Sequence, residues 1–146
     1  MDEVQAAARG LGLDVARLEI RRADDIAPAL ESLKDSAEAL YVVGDPLMLT
    51  NRVHISILAV AARLPTIHNN ASLVESGGLI SYGPNIPAMY RRTAELVDKI
   101  LRGTRPADIP VEQPTNFDLA INLTTAKVLG LAIPPTLRAL ATEIIE

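Results

Sequence analysis

The sequence predicts an α/β fold: a three-layer, Rossmann-like parallel sheet with helices on both faces, followed by a proline-rich C-terminal tail. Over residues 1–103, helical segments alternate with short apolar runs without a long insertion. The run Ala39–Val43 is apolar throughout, as is typical of a strand buried on both faces of a parallel sheet. The composition, with 49% apolar and 22% charged side chains in 146 residues, is that of one globular domain with a core.

The first quarter of the chain predicts a helix, a strand and a second helix. The Ala-rich segment Glu3–Leu11 favours a helix, because Ala has the highest helix propensity. Asp14–Ile20 alternates apolar and polar residues, which predicts a strand. Asp24 is a suitable N-cap for a helix over Ile26–Lys34.

The middle of the chain continues this alternation after the Ala39–Val43 strand. Apolar residues at helical spacing predict a helix over Leu49–Arg63, and Pro65–His68 then predicts a strand. Ser72 and Glu75 have the spacing of a capping box at the start of a short helix. A further strand is expected over residues 79–82.

The last third begins with the clearest amphipathic pattern, which predicts a helix over Ile86–Arg102. The proline-rich stretch that follows cannot be helical. Phe117–Ile121 alternates like a strand, and Asn122 can cap a short helix that stops at Gly130. Pro134-Pro135 is expected to open a last helix that continues to the C-terminus.

Candidate ligand-binding residues follow from the predicted sheet. In an open parallel sheet, ligands bind outside the carboxyl ends of the strands, so three loops are expected to lie along one edge. The candidates on and beside these loops are Asp45, His68, Asn69, Asn70, Ser72 and Tyr82. Each also has a purely structural interpretation: an Asx turn, a strand-end polar group, a loop amide, a helix cap or a core aromatic ring.

Several classes of function are disfavoured by what the sequence lacks. It has no dinucleotide-binding or P-loop glycine motif, no G-x-S-x-G and no Cys, and its two His residues have no metal-ligand spacing. We therefore expect no cofactor and no metal. The net charge of −4 gives no basic surface for nucleic acid. The apolar runs are shorter than the roughly 20 residues needed to cross a bilayer, and no signal sequence is recognised at Met1.

A binding module fits these residues better than an enzyme. Catalysis needs a nucleophile or an acid and a base within mutual reach, and the loops offer no evident pair. Two alternatives remain. One is an open α/β enzyme, namely a hydrolase or transferase that uses Asp45 and His68, and the other is a ligand-sensing regulatory domain. The pattern also opens on a helix without the strand that such a helix ordinarily covers, so we expect a piece of a larger protein.

Blocks of sequence along almost the whole chain resemble one family. They are Gly77–Gly83 (GGLISYG), Lys99–Gly103 (KILRG), Pro106–Thr115 (PADIPVEQPT), Ile121–Lys127 (INLTTAK) and Leu129–Leu131 with Ile133-Pro134. In their order and spacing these blocks closely resemble the C-terminal half of the tryptophan/tyrosine-type substrate-binding proteins of ABC transporters.

The resemblance implies one lobe of a periplasmic-binding-protein fold, over residues 1–103, with residues 104–146 packing on that lobe or on a partner. An N-terminal lobe and an ABC permease would be the partners of the full-length protein, at a periplasmic or membrane-anchored extracytoplasmic location. Asp45 would meet an amino group of the ligand, and Asn69 and Asn70 would face the cleft between the lobes. The ligand would be an amino acid or a small organic metabolite.

An isolated lobe exposes the surface that a second lobe would cover. Apolar patches larger than a few hundred Å² on a monomer tend to be covered by a partner. We therefore expect the isolated chain to form a homodimer.

Overall fold

Five short strands form one mixed sheet in the spatial order β1-β2-β3-β4-β5. The structure is a computed structural model, and it describes residues 2–34 and 36–146. The strands are β1 Leu40–Val42, β2 Thr66–His68, β3 Ile80–Pro84, β4 Phe117–Asn122 and β5 Glu143–Ile145. With helices on both sides of the sheet, the three-layer α/β class is confirmed.

The expectation of a wholly parallel sheet is wrong at one pair of strands. β1, β2 and β3 run parallel, as do β4 and β5, whereas β3 and β4 are antiparallel. The reversal begins where the Asn85 N–H donates to the Asn116 carbonyl at 2.9 Å, because this bond starts β4 beside the end of β3. β4 must then run back along β3.

The helices largely match the predicted ones. They are α1 Asp2–Gly10, α2 Ile26–Ser32, α3 Pro46–Thr50, α4 Arg52–Ala61, α5 Ala71–Glu75, α6 Ile86–Leu101, α7 Leu123–Leu129 and α8 Pro135–Leu140. The predicted helix over 49–63 is in fact two helices, α3 and α4, that meet at Asn51. The cap predicted at Asn122 is confirmed, since its side chain accepts from the Thr125 N–H, and α7 ends at Gly130 in the left-handed conformation, with φ 73°.

Two helices differ from the prediction in the residue at their N-cap position. The N-cap position of α2 belongs to Asp25 rather than Asp24, and the Asp25 carboxylate accepts from the backbone N–H groups of Arg21 and Arg22. α5 begins after Asn70, so the predicted start at Ser72 is also wrong. At α5, Asn70 and Ser72 have similar capping chemistry, and Asn70 is the residue that caps the helix. At α2, the Asp25 side chain makes no capping hydrogen bond to the helix.

Residues 14–20 belong to no helix or strand, which contradicts the predicted strand. Among the described residues, this segment pairs with no other strand, and Val15 and Leu18 each remain 39% exposed. Alternation makes a segment compatible with a sheet, but a strand also needs a neighbour for its backbone hydrogen bonds.

The chain ends in a strand rather than in the predicted helix. α8 stops at Leu140, and β5 pairs with β4 in the register Ile121 to Ile144. Thr142 fixes the start of β5 beside β4. Its backbone N–H donates to the Leu119 carbonyl, and its hydroxyl accepts from the Leu119 N–H at 3.0 Å. Segment 117–145 therefore contributes two strands to the sheet.

The core lies mainly between the sheet and the helices on one of its faces. One cluster joins α2 to β1 and α4, with Ile26, Leu30, Leu33, Val42, Ile55 and Leu64 as its buried members. In α5, Leu73 and Val74 are completely buried, and the Asn122 side chain of β4 donates to the Val74 carbonyl at 3.3 Å. These contacts hold α5 against the strands, with its N-terminus at the edge where β2 and β3 end.

Candidate functional site

A cavity of about 300 Å³ lies at the edge of the sheet where the parallel strands end. Since β4 is antiparallel to β3, β4 and β5 begin at this same edge. The polar residues that line the cavity are Asn69, Asn70, Ser72, Glu75, Ser81, Asn85, Asp118 and Glu143. Three of the six predicted site residues, Asn69, Asn70 and Ser72, therefore share one wall.

Asn70 and Ser72 form the start of α5. The Asn70 Oδ1 accepts from the backbone N–H of Ser72 at 2.9 Å and from the Ser72 hydroxyl at 2.7 Å. One amide oxygen therefore caps the helix and orients the hydroxyl. The two side chains form a single polar unit on the cavity wall.

Asn69 connects two of the loops at this edge. Its side-chain oxygen accepts from the backbone N–H of Gly44, the residue that follows β1, at 2.8 Å. Its backbone lies against Gly83 of β3, where an added Cβ would stand 2.0 Å from the Asn69 carbonyl oxygen and 2.7 Å from its carbonyl carbon. Glycine at position 83 is what allows the two backbones to approach so closely.

Asp45 lies outside the cavity lining, in the loop next to Asn69. It is exposed and caps α3, where its Oδ1 accepts from the Met48 N–H at 2.8 Å. Asp45 thus has a structural role as a helix cap. Its second carboxylate oxygen has no hydrogen-bond partner among the described residues.

Tyr82 lies on the opposite face of the sheet from the cavity. Successive residues of a strand point to opposite faces, and Ser81 lines the cavity while Tyr82 does not. The Tyr82 ring stacks on Phe117, with centroids 5.5 Å apart, and remains 58% exposed. It is neither a core residue nor part of the cavity wall.

His68 belongs to the core, which corrects its prediction as a strand-end group of the site. It is 1% exposed, and its Nε2 lies 2.9 Å from the Thr66 hydroxyl, which also accepts from the Leu79 N–H. Burial lowers the pKa of His68 to about 4, so the ring is neutral at neutral pH. An acid–base pair with the exposed Asp45 is not formed.

Five polar residues of the cavity were not among the predicted site residues: Glu75, Ser81, Asn85, Asp118 and Glu143. Asn85 donates from Nδ2 to the Asp118 Oδ2 at 2.8 Å, and its Oδ1 accepts from the Ala88 N–H to cap α6. Its position directly before a long amphipathic helix is a signal that could have identified it. Asp118 and Glu143 join the site through the unexpected direction of β4 and the unexpected strand β5.

The cavity is suited to binding a small polar molecule. It offers amide groups, hydroxyls and carboxylates beside the apolar surfaces of Pro84, Ile86 and Pro87. In the described part of the chain, no three His, Cys, Asp or Glu side chains are grouped to hold a metal ion. Nor does any helix described for residues 2–34 and 36–146 have the length and apolar character needed to cross a membrane.

Residues 1–145 match the profile of the family described as ABC transporter substrate binding protein. The chain belongs to this family. Among its relatives is the "Tyrosine-binding protein" of Clostridioides difficile strain R20291, which is 26% identical over 131 residues, covering 90% of this chain and 38% of that protein.

Solved structures with a similar level of sequence identity share the fold. A conserved domain protein of Vibrio cholerae superposes with a TM-score of 0.90 at 25% identity, covering 98% of this chain and 48% of that one. An ABC domain in complex with L-Trp from Streptococcus pneumoniae gives 0.91 at 24% identity, covering 99% and 49%. A ligand-free, open substrate-binding protein with adhesive properties from Clostridium difficile gives 0.74 at 26%, covering 99% and 48%. The chain thus spans half or less of these relatives' lengths.

The contact at Gly83 predicts that Gly83→Ala disturbs the site. The added methyl group must push the Asn69 backbone away, so we expect a loss of about 2 kcal/mol in the free energy of unfolding and displaced NMR signals from residues 69–72. Urea unfolding and ¹⁵N–¹H spectra measure both. Gly10→Ala is the matched control, because nothing lies within 4 Å of a Cβ at Gly10. Equal stability of the Gly83 variant and the wild type would contradict the prediction.

Burial of His68 predicts a specific loss of stability in acid. The unfolded chain takes up a proton on His68 below a pH of about 6.5, whereas the folded chain resists until its pKa of about 4. The free energy of unfolding should therefore fall by about 3 kcal/mol between these pH values, beyond the effect of other groups. Urea unfolding across this range should show a shallower pH dependence for His68→Gln than for the wild type. His54→Gln, at an exposed histidine, should behave like the wild type.

Proposed function

We propose that this chain is the small-molecule-binding lobe of an ABC importer substrate-binding protein, and that its ligand is an amino acid or a small organic metabolite. The observation that carries the proposal is the polar cavity at the carboxyl edge of the sheet, in a chain that belongs to this family. The relative named for tyrosine and the structure solved with L-Trp support an amino acid as the ligand class.

Residues of the loops after β1 and β2 supply the polar contacts in this proposal. Asn69, Asn70 and Ser72 present an amide and hydroxyl wall to the cavity. Asp45 offers its free carboxylate oxygen, in the adjoining loop, to an ammonium group of the ligand. Asp45 therefore keeps its proposed role at the mouth of the site, while His68 supports the site from the core and Tyr82 lies on the other face.

We further propose that the complete protein has a second lobe and delivers its ligand to an ABC permease on the extracytoplasmic side of the membrane. The relatives have about twice the length of this chain, which leaves room for such a lobe. Binding between two lobes buries more ligand surface than one lobe can, so this lobe alone should bind weakly.

The role is proposed to be non-catalytic. A hydrolase or transferase based on Asp45 and His68 would need the two side chains within hydrogen-bond reach. His68 instead contacts Thr66 in the core, and Asp45 caps α3 at the surface. No observation favours a reaction or a regulatory role over binding.

A ligand screen tests the proposal directly. Saturable binding of one amino acid or small carboxylate should raise the thermal midpoint, and ligand at about 100 times Kd contributes about 2.7 kcal/mol. Asp45→Asn keeps a side chain that can cap α3 but loses the charge, so it should weaken amino acid binding about tenfold or more. Asp98→Asn, on the exposed side of α6, is the control for charge. An unchanged affinity in Asp45→Asn would contradict the role of Asp45.

We also propose that the isolated chain forms a homodimer through the face of the sheet opposite the cavity. Large apolar side chains there are between 39% and 58% exposed: Tyr41, Ile67, Tyr82, Phe117 and Ile144. Tyr41 and Ile67 are register partners, and Tyr82 stacks on Phe117, so this face carries two exposed apolar pairs. Apolar surfaces of this kind are usually covered.

The dimer predicts a change in sedimentation. Tyr82→Glu places a charge among these apolar side chains and should convert the dimer to a monomer at the same concentration. Val111→Glu, at a fully exposed side chain outside the sheet, should leave the dimer intact. A wild-type chain that sediments as a monomer at high concentration would show the proposal to be wrong.

A further inference from the structure

We infer that the cavity holds a protonated amine at the end of an aliphatic chain, so that the ligand class is a diamine or a dibasic amino acid. The inference rests on the proposed binding function and adds the residues that select the ligand: Ser81, Asp118 and Glu143 on the floor of the cavity. It is carried by a hydroxyl that lines the cavity, by the charges of the lining and by the apolar wall.

Ser81 is the first observation. Its side chain is 1% exposed and lines the cavity, yet its hydroxyl makes no hydrogen bond to any described residue. A serine hydroxyl that lines a cavity has lone pairs that can accept a hydrogen bond from a molecule bound there. A ligand N–H group in the cavity would supply one.

The strand register places two carboxylates on the same face of the sheet as this hydroxyl. Ser81 pairs with Ala120, which pairs with Glu143, so these residues form one row across β3, β4 and β5. Asp118 lies in the next row, opposite Gly83. Ser81, Gly83, Asp118 and Glu143 therefore share the face of the sheet that forms the cavity floor.

The lining carries negative charge only. Its ionisable residues are Glu75, Asp118 and Glu143, and it contains no Lys, Arg or His. Asn85 occupies one oxygen of Asp118, which leaves the other free to accept from a ligand. A cationic ligand is attracted by this arrangement, and an anionic one is repelled.

An organic amine fits this arrangement better than a metal ion. In the part of the chain that the structure describes, the acidic side chains are not grouped closely enough to hold a metal ion. An ammonium group has three N–H donors that can point to separate acceptors, such as the Ser81 hydroxyl and the Asp118 carboxylate. Pro84, Ile86 and Pro87 give the same cavity an apolar side, which suits a chain of methylene groups.

An NMR titration of the chain tests the inference, because the cavity is formed by this chain alone. The probes are L-lysine, 1,5-diaminopentane, L-norleucine, which lacks the terminal amine of lysine, and glutarate. We expect L-lysine and the diamine to shift the amide signals of Ser81 and Asp118 saturably. L-norleucine should bind about tenfold more weakly or worse, since a hydrogen bond to a charged group is lost. Glutarate should not bind.

Substitutions in the cavity lining show which side chains bind the amine. Asp118→Asn keeps an oxygen for Asn85 but removes the charge, and it should weaken L-lysine binding about tenfold. Ser81→Ala removes the hydroxyl with almost no change in volume and should weaken it about threefold to tenfold. Glu38→Gln, which removes an exposed carboxylate near the opposite end of β1, should leave the affinity unchanged. Spectra of each variant without ligand show whether it keeps the fold, and Glu143→Gln replaces Asp118→Asn if that variant unfolds.

The outcomes separate this inference from the proposed function. If L-norleucine or another neutral amino acid binds as tightly as L-lysine, or if a folded charge variant keeps full affinity, the preference for a cation is wrong and the proposed function stands. If glutarate binds best, the inference is equally overturned. If neither the four probes nor the wider screen of amino acids and carboxylates binds, both proposals fail together.

Discussion

The geometry of the binding edge depends on one contact between backbones, that of Gly83 with Asn69. Because residue 83 has no Cβ, the loop after β2 can lie directly against the end of β3. This position lets the Asn69 side chain reach the Gly44 N–H and places Asn70 at the start of α5. Three loops are thereby held in one arrangement by a glycine and two asparagines, and the cavity wall is a consequence of that arrangement.

The floor of the cavity depends on the reversal of chain direction between β3 and β4. The antiparallel pairing brings Asp118 opposite Gly83, and β5 then adds Glu143 beside β4. If β4 were parallel to β3, it would begin at the opposite edge of the sheet. Asp118, the second residue of β4, would then lie far from the cavity. The path of the chain into β4 thus sets the charge of the cavity.

The two faces of the sheet differ in how they are covered. α5 packs on the face that carries the cavity, whereas Tyr41, Ile67, Tyr82 and Phe117 remain exposed on the other face. α6 is similar, because its amphipathic pattern is clear and yet it contains no buried residue. The solved relatives are about twice as long as this chain. In the proposed complete protein a second lobe would cover such surfaces, and in the proposed dimer a second copy would do so.

Local pattern was sufficient for the fold class, for β1 to β4, for most helices and for the amide wall at Asn69, Asn70 and Ser72. These features depend on spacing, capping chemistry and the rule that parallel strands end together. Residues 14–20 have a good strand pattern but no partner, and β5 forms because β4 accepts it. Ser81, Asp118 and Glu143 meet only through strand register, and His68 is removed from the site by burial. Pairing and burial arise between segments distant in the chain, so only the tertiary structure could decide them.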